Sequence, residues 1–345
     1  MKRREFLIGA ATLPLLAQTV FSQSRNSTRD VKIVKPKRLA AGDTVAVIAP
    51  SSGVAPEAFE KALQNLADLG LKTKIGKSAR SRKGFLAGTD RERLDDLHQA
   101  FADETVKAVW CARGGYGASR FLPDLDFRLI RKNPKILIGF SDITALHLAI
   151  YQNTGLVTFH GPVAASNFSD YTKNHVVNAL MNPSAPYKIT LAPENVANES
   201  NLFKTETITR GKCRGRLTGG NLSLLAALAG TAFGLRDTKG KILFIEDVGE
   251  APYRIDRMLT QLRQTVDLRQ LAGIALGVFE GCNPKDENSQ SLIEVVKDRL
   301  GDLGIPVIYG LSFGHIRDQF TLPMGIEAEL DTDAVTVTFL ENGVV

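Results

Sequence analysis

Apolar residues along this chain fall into two alternating kinds of segment: short continuous runs, and stretches with hydrophobic positions three or four apart. Runs at 44–49, 106–111, 135–138, 158–160, 241–245, 274–279 and 306–309 predict buried β-strands. Between them, helical spacing recurs in Phe59, Ala62, Leu63, Leu66 and Leu69, and in Leu94, Leu97 and Phe101. It returns in Leu222, Leu225 and Leu228, in Ile255, Met258, Leu259 and Leu262, and in Leu292, Val296 and Leu300. Punctuation agrees: Pro50 and Ser51-Ser52-Gly53 stop the first strand, Gly70 closes the first helix, and Thr89 and Glu92 have capping-box spacing. Strands alternating with helices over short connections predict an α/β fold with a parallel sheet covered on both faces. Ligand and reaction sites in such sheets form at the carboxyl ends of the strands. Alternating Val335, Val337 and Phe339 predict a last, edge-type strand.

A chain of 345 residues exceeds the size at which one core stops growing, so two domains are expected. Periodicity fades after 164 while Asn, Ser and Pro accumulate, which divides the chain into a domain at 38–165, an interdomain linker at 166–206 and a second domain at 207–345. Residues 1–24 read as an address: Lys2-Arg3-Arg4 followed by Phe6-Leu7 and an apolar stretch, the pattern of a twin-arginine signal. Export would leave no stable membrane insertion after processing.

Composition alters this little. The formal charge of +6 is diffuse and lacks a basic stripe interleaved with aromatics, which argues against a nucleic-acid partner. Three cysteines, Cys111, Cys213 and Cys282, leave at least one unpaired and imply no disulfide framework. No C-x-x-C or H-E-x-x-H pattern suggests a metal site. Gly114-Gly115-Tyr116-Gly117 follows a later strand at the wrong spacing for a dinucleotide loop, so no nicotinamide cofactor is expected.

Candidate chemistry gathers at strand ends. Ile136-Leu137-Ile138 stops at Gly139, a helical pattern begins near Asp142, and Ser141 lies in the bend. A hydroxyl there points out of the sheet beside unpaired helix N–H groups, as in a nucleophile elbow, although Ile143 stands where G-x-S-x-G has its second glycine; the other reading is an N-cap. A serine needs a base, commonly a histidine oriented by a carboxylate. Of five histidines, His98 reads as solvated, His147 points away from Ser141 on its own helix, and His175 falls in the linker. His160 is either a supporting residue or a core histidine, and His315, after a glycine at a strand end, is the best base. Glu246 ends an apolar strand and is the candidate acid, with Asp247 and Glu250 as neighbours that cap the next helix or pair with Arg254 or Arg257. Arg113 and Arg254 are candidates for binding a substrate carboxylate, or else structural ion pairs.

The motifs W-C-A-R-G-G-Y-G (110–117), G-F-S-D (139–142), T-F-H-G-P (158–162), G-G-N-L (219–222), F-I-E-D-V-G-E (244–250), Y-R-I-D-R (253–257) and Gly314-His315 resemble, in order, the LD-carboxypeptidase family of serine peptidases, which includes the microcin C immunity peptidases. The resemblance runs from about Arg38 to Glu341. It implies a Rossmann-like N-terminal domain, a smaller mixed α/β C-terminal domain, and a triad of Ser141, Glu246 and His315. The backbone N–H of Asp142 and of the Gly114-Gly115 turn would form the oxyanion hole. It further implies a metal-independent homodimer without cofactor that removes the terminal D-alanine of murein tetrapeptides. Several members lack a signal, whereas this chain reads as exported to the periplasm. Two alternatives stand beside it: hydrolysis of another amide, such as a peptide-nucleotide conjugate, and a muropeptide-binding protein without catalysis.

Overall fold

The computed structural model describes residues 32–345; the expected leader at 1–24 lies outside the described residues. In chain order the elements are β1 (Thr44–Ile48), α1 (Pro56–Asp68), β2 (Lys72–Ile75), α2 (Asp90–Ala102), β3 (Val106–Cys111), α3 (Phe127–Lys132), β4 (Ile136–Gly139), α4 (Thr144–Thr154) and β5 (Thr158–His160). There follow α5 (Asp170–Leu180), β6 (Tyr187–Ile189), α6 (Pro193–Val196), β7 (Glu206–Thr209), β8 (Lys212–Asn221), α7 (Leu222–Leu228), β9 (Lys241–Glu246), α8 (Pro252–Thr265) and β10 (Gly273–Val278). The chain closes with α9 (Leu292–Leu300), β11 (Val307–Gly314), β12 (Leu322–Met324), β13 (Glu327–Asp331) and β14 (Thr336–Phe339).

Two sheets result. The first has the order β12-β5-β4-β3-β1-β2, parallel from β5 to β2 with β12 antiparallel at its edge. The second has the order β6-β14-β13-β8-β9-β10-β11-β7, parallel through β8, β9, β10 and β11 and antiparallel outside them. The inner parallel strands, β3, β4 and β10 among them, are buried on both faces, which is why they are continuous apolar runs in the sequence. This is the expected α/β architecture. Among the described residues, no helix is long and apolar enough to cross a membrane.

Several expectations need correction. The stretch 166–206 is not irregular: Ser169 caps α5 through Thr172 N–H, and α5 buries Val176, Ala179 and Leu180. Its three turns are too short to raise a periodic signal over the surrounding polar residues. β6, from that same stretch, forms the outer edge of the second sheet, so β14 is flanked on both sides and is not the edge. β12, from the far end of the chain, pairs with β5 and returns to the first sheet. His98 is half-buried, and its Nε2 accepts the Asp126 N–H at 3.0 Å.

Three histidines are buried: His147, His160 and His175. Burial lowers their pKa values from 6.5 to about 3, 4 and 4 respectively. A folded pKa below the unfolded value means that the unfolded chain takes up protons first, so each histidine costs stability as pH falls from 6.5 toward its folded pKa. The buried Asp142 and Asp247, whose carboxyls are raised by burial, act in the opposite sense. Replacing one of the three isolates the effect: in His175→Phe the fall in melting temperature between about pH 6.5 and 4 is shallower than in the parent chain. Parallel curves across that window would contradict it.

Candidate active site

β4 ends at Gly139 because nothing larger fits; a β-carbon there would lie 2.9 Å from Ile143 Cγ1 and 3.1 Å from Cys111 Cβ. The chain continues through extended Phe140 to Ser141, whose φ is +64°, and through the single 3-10 turn Ser141–Ile143 into α4. A side chain in that backbone region costs on the order of 1–3 kcal/mol and persists only where packing enforces it. Ser141 makes no capping hydrogen bond, so the N-cap alternative does not describe it. The N–H of Asp142 belongs to the first turn, where donors have no intrahelical acceptor.

The glycine turn after β3 packs on this elbow. A β-carbon on Gly114 would come within 3.0 Å of Ser141 Cβ, and one on Gly115, with φ +103°, within 2.4 Å of Ser52 Oγ. The Asp142 carboxylate holds the loops together: it is buried and its Oδ2 accepts Ser51 Oγ at 2.6 Å and the Ala118 N–H at 2.8 Å. Burial pushes this carboxyl up from the ordinary range against those hydrogen bonds. Arg93, fully buried, donates to the Pro50 carbonyl and to the Gly117 carbonyl at 2.9 Å and pairs with Asp90. Sequence reading used only the N–H of Asp142 and passed over Ser51 and Arg93. An acidic residue directly after the elbow serine was the available signal.

β9 delivers Glu246, fully buried, and β11 delivers His315. His315 Nδ1 donates to Glu246 Oε2 at 2.7 Å. Burial alone would raise the Glu246 carboxyl, but the charge of His315 and this hydrogen bond outweigh it and hold the pKa below the usual value. Burial likewise pushes the imidazole down, and the charge and hydrogen bond of Glu246, helped by Asp247 and Glu280, raise it above the ordinary value. Gly314 takes φ +122°, and a β-carbon there would stand 2.8 Å from the Val278 carbonyl oxygen and 3.2 Å from Glu246 Cβ.

Asp247 is not a rival for this role. Its carboxylate accepts Ser223 N–H and Oγ, both at 2.8 Å, at the start of α7, and the Val248 N–H at 2.8 Å. Burial and the Glu246 charge push it up to about 6. Glu250 pairs with Arg254 at 3.3 Å.

The two sheets meet at the start of α4, just after Ser141. Gly220 lies against Thr144, 2.5 Å from where its β-carbon would be, and the Asn221 N–H donates to Thr144 Oγ1 at 2.9 Å. The ring of Phe140, the residue before Ser141, packs at 4.8 Å on the imidazole of His315. The imidazole–acid pair therefore lies against the residue that precedes Ser141, and no hydrogen bond joins Ser141 Oγ to His315 among the described residues. Such bonds are commonly long before substrate binds. Arg113 is exposed beside the glycine turn, donates to the Gly53 carbonyl at 3.1 Å and has no ion pair among the described residues. Arg254 is held by Glu250 and by Tyr253 Oη at 3.1 Å. Cys111 and Cys282 are buried thiols, and no group of metal-ligating side chains occurs among the described residues.

If the carboxylate sustains the basicity of His315, Glu246→Gln will drop the pKa of the imidazole by roughly one unit or more in a nuclear magnetic resonance titration. An unchanged titration would contradict the pairing.

Sequence comparison identifies the family. Residues 45–161 match the LD-carboxypeptidase N-terminal domain and residues 214–330 the LD-carboxypeptidase C-terminal domain. A probable murein peptide carboxypeptidase of Bacillus subtilis is 45% identical over 311 residues, covering 90% of this chain and 95% of that protein. A murein tetrapeptide carboxypeptidase of Pseudomonas aeruginosa is 38% identical over 297 residues, covering 83% and 92%. The solved structure of MccF in complex with glutamyl sulfamoyl guanosine superposes with a TM-score of 0.82 at 26% identity, covering 90% of this chain and 99% of that one. With identity at this level over nearly its whole described length, this chain belongs to the LD-carboxypeptidase family.

Proposed function

We propose that this protein is a serine LD-carboxypeptidase that releases the terminal D-alanine from murein tetrapeptides through an acyl-enzyme. The observation that carries the mechanism is the hydrogen bond from His315 to the buried Glu246, with the imidazole packed at a tilt against the residue that precedes a strained Ser141. Glu246 fixes Nδ1 as the donor, which leaves Nε2 as the base. His315 Nε2 takes the Ser141 proton as Oγ bonds to the carbonyl carbon, and the oxyanion is held by N–H groups of Asp142 and the Gly114-Gly115 turn. Collapse breaks the amide bond as His315 returns that proton to the leaving amine of D-alanine. Water, deprotonated by the same imidazole, then hydrolyses the ester and frees Ser141.

Arg113, a cation with no acidic partner at the mouth of the glycine turn, suits the carboxylate of the departing residue better than Arg254, already committed to Glu250. The arginine pair at Arg3-Arg4 and the apolar run behind it support export by the twin-arginine route to the periplasm, and family resemblance supports a homodimer. Likeness to MccF favours a second substrate, a peptide-nucleotide amide. The closer identities to carboxypeptidases favour murein.

Mass spectrometry of a murein tetrapeptide will show loss of one D-alanine with the parent chain and none with Ser141→Ala at unchanged melting temperature. Release by Ser141→Ala, or faster turnover of a peptide-nucleotide amide, would overturn the assignment. Gly114→Ala, which presses on Ser141, lowers kcat by roughly 100-fold or more while tetrapeptide KM stays within about threefold, because it disturbs the oxyanion side of the site. A wild-type kcat in that variant would remove the glycine turn from the mechanism.

A further inference from the structure

His160 ends β5 within the T-F-H-G-P motif, and the triad makes no use of it. Its ring is 1% exposed, yet neither nitrogen has a hydrogen-bond partner among the described residues. Phe244 at 5.3 Å, Phe140 at 6.1 Å, Phe313 at 6.4 Å and His147 at 6.5 Å enclose it. Phe244 and Glu246 are two residues apart on β9 and share a face of that strand, so the edge contact with Phe244 sets His160 beside the buried acid. Glu246 gives Oε2 to His315 while its Oε1, equally buried, has no partner at ordinary hydrogen-bond geometry among the described residues, the Asn221 side chain acting on the carboxylate only from further off. Thr158 Oγ1, two residues before His160 on the same face of β5, and His147 Nδ1, from α4, are unpartnered as well.

Buried polar atoms are almost always paired, and interior water sits where two to four such atoms converge. We propose that His160 is a positioning residue for Glu246: a buried water held between its ring and Oε1 anchors the carboxylate so that Oε2 stays on His315. The assignment rests on the triad reading above. Burial leaves the ring at a pKa of about 4, so it is neutral under working conditions and keeps one N–H to donate and one nitrogen to accept. The titratable groups that face it are His147 from α4, Glu246 from β9 and His315 beyond β11, while Asp247 and Glu280 act on His315 itself.

A donor on Oε1 favours the state in which the pair carries a net negative charge over the state in which His315 is protonated. Without it the pair holds its proton to higher pH. The experiment is the pH profile of D-alanine release by the full chain, His160→Phe and His160→Asn. In His160→Phe, kcat falls roughly tenfold, KM stays within about twofold, and the acid limb of kcat/KM moves up by about one pH unit. His160→Asn, which retains a donor, recovers part of the shift. An acid limb in His160→Phe that coincides with the parent's would overturn the role. Should His160→Phe fail to fold, the crystal structure of the unmodified protein decides: water density within hydrogen-bonding reach of the ring and Oε1 supports the role, and a dry contact overturns it. A parent chain that releases no D-alanine, or His315→Ala with unimpaired kcat, defeats the triad reading first and this one with it.

Discussion

The site depends on how closely β8 approaches the start of α4. Gly220 has no β-carbon, and the 2.5 Å from its would-be position to Thr144 leaves room for none. The neighbouring Asn221 N–H fastens Thr144 Oγ1 at 2.9 Å. Because β8 pairs with β9 in register through Asn221 and Glu246, this contact between sheets is also what brings the acid, and the histidine bonded to it, to the elbow serine. A serine from one sheet and an acid–imidazole pair from another can act together only if the seam between them is fixed to a fraction of an ångström. A glycine at the seam is the simplest way to achieve it.

Electrostatics then depend on burial. Glu246 has no exposed surface, and a lone carboxylate there would be neutralised by protonation. Bonded to His315 it stays ionised, and each partner moves the other's proton affinity in the direction that favours the charged pair. Beside it, Asp247 illustrates the alternative outcome: equally enclosed, but facing backbone and hydroxyl donors instead of a base, it is pushed up to about 6. Two adjacent acids thus differ in proton affinity through the groups that each one faces.

Much of this was legible in the residues. A continuous apolar run breaking at Gly139 before a helical pattern placed Ser141 in a bend, and Glu246 at the end of a buried strand demanded a partner. What escaped was whatever local pattern does not encode. β2, Lys-Thr-Lys-Ile, is an exposed edge strand with no buried face and so no alternation. β12 contains Pro323 and reads as a loop until its pairing with distant β5 is known. The roles of Asp142, Ser51 and Arg93 depend on loops separated by up to 91 residues, which spacing cannot reveal.

The central claim is that Ser141 is a nucleophile only because His315 and Glu246 make it one. Intact-mass spectrometry after exposure to a fluorophosphonate tests this most directly. The account predicts a single adduct mapping to Ser141, formed at least about tenfold more slowly in Glu246→Gln and absent in His315→Ala. Equal labelling of all three proteins, or an adduct on another residue, would contradict it.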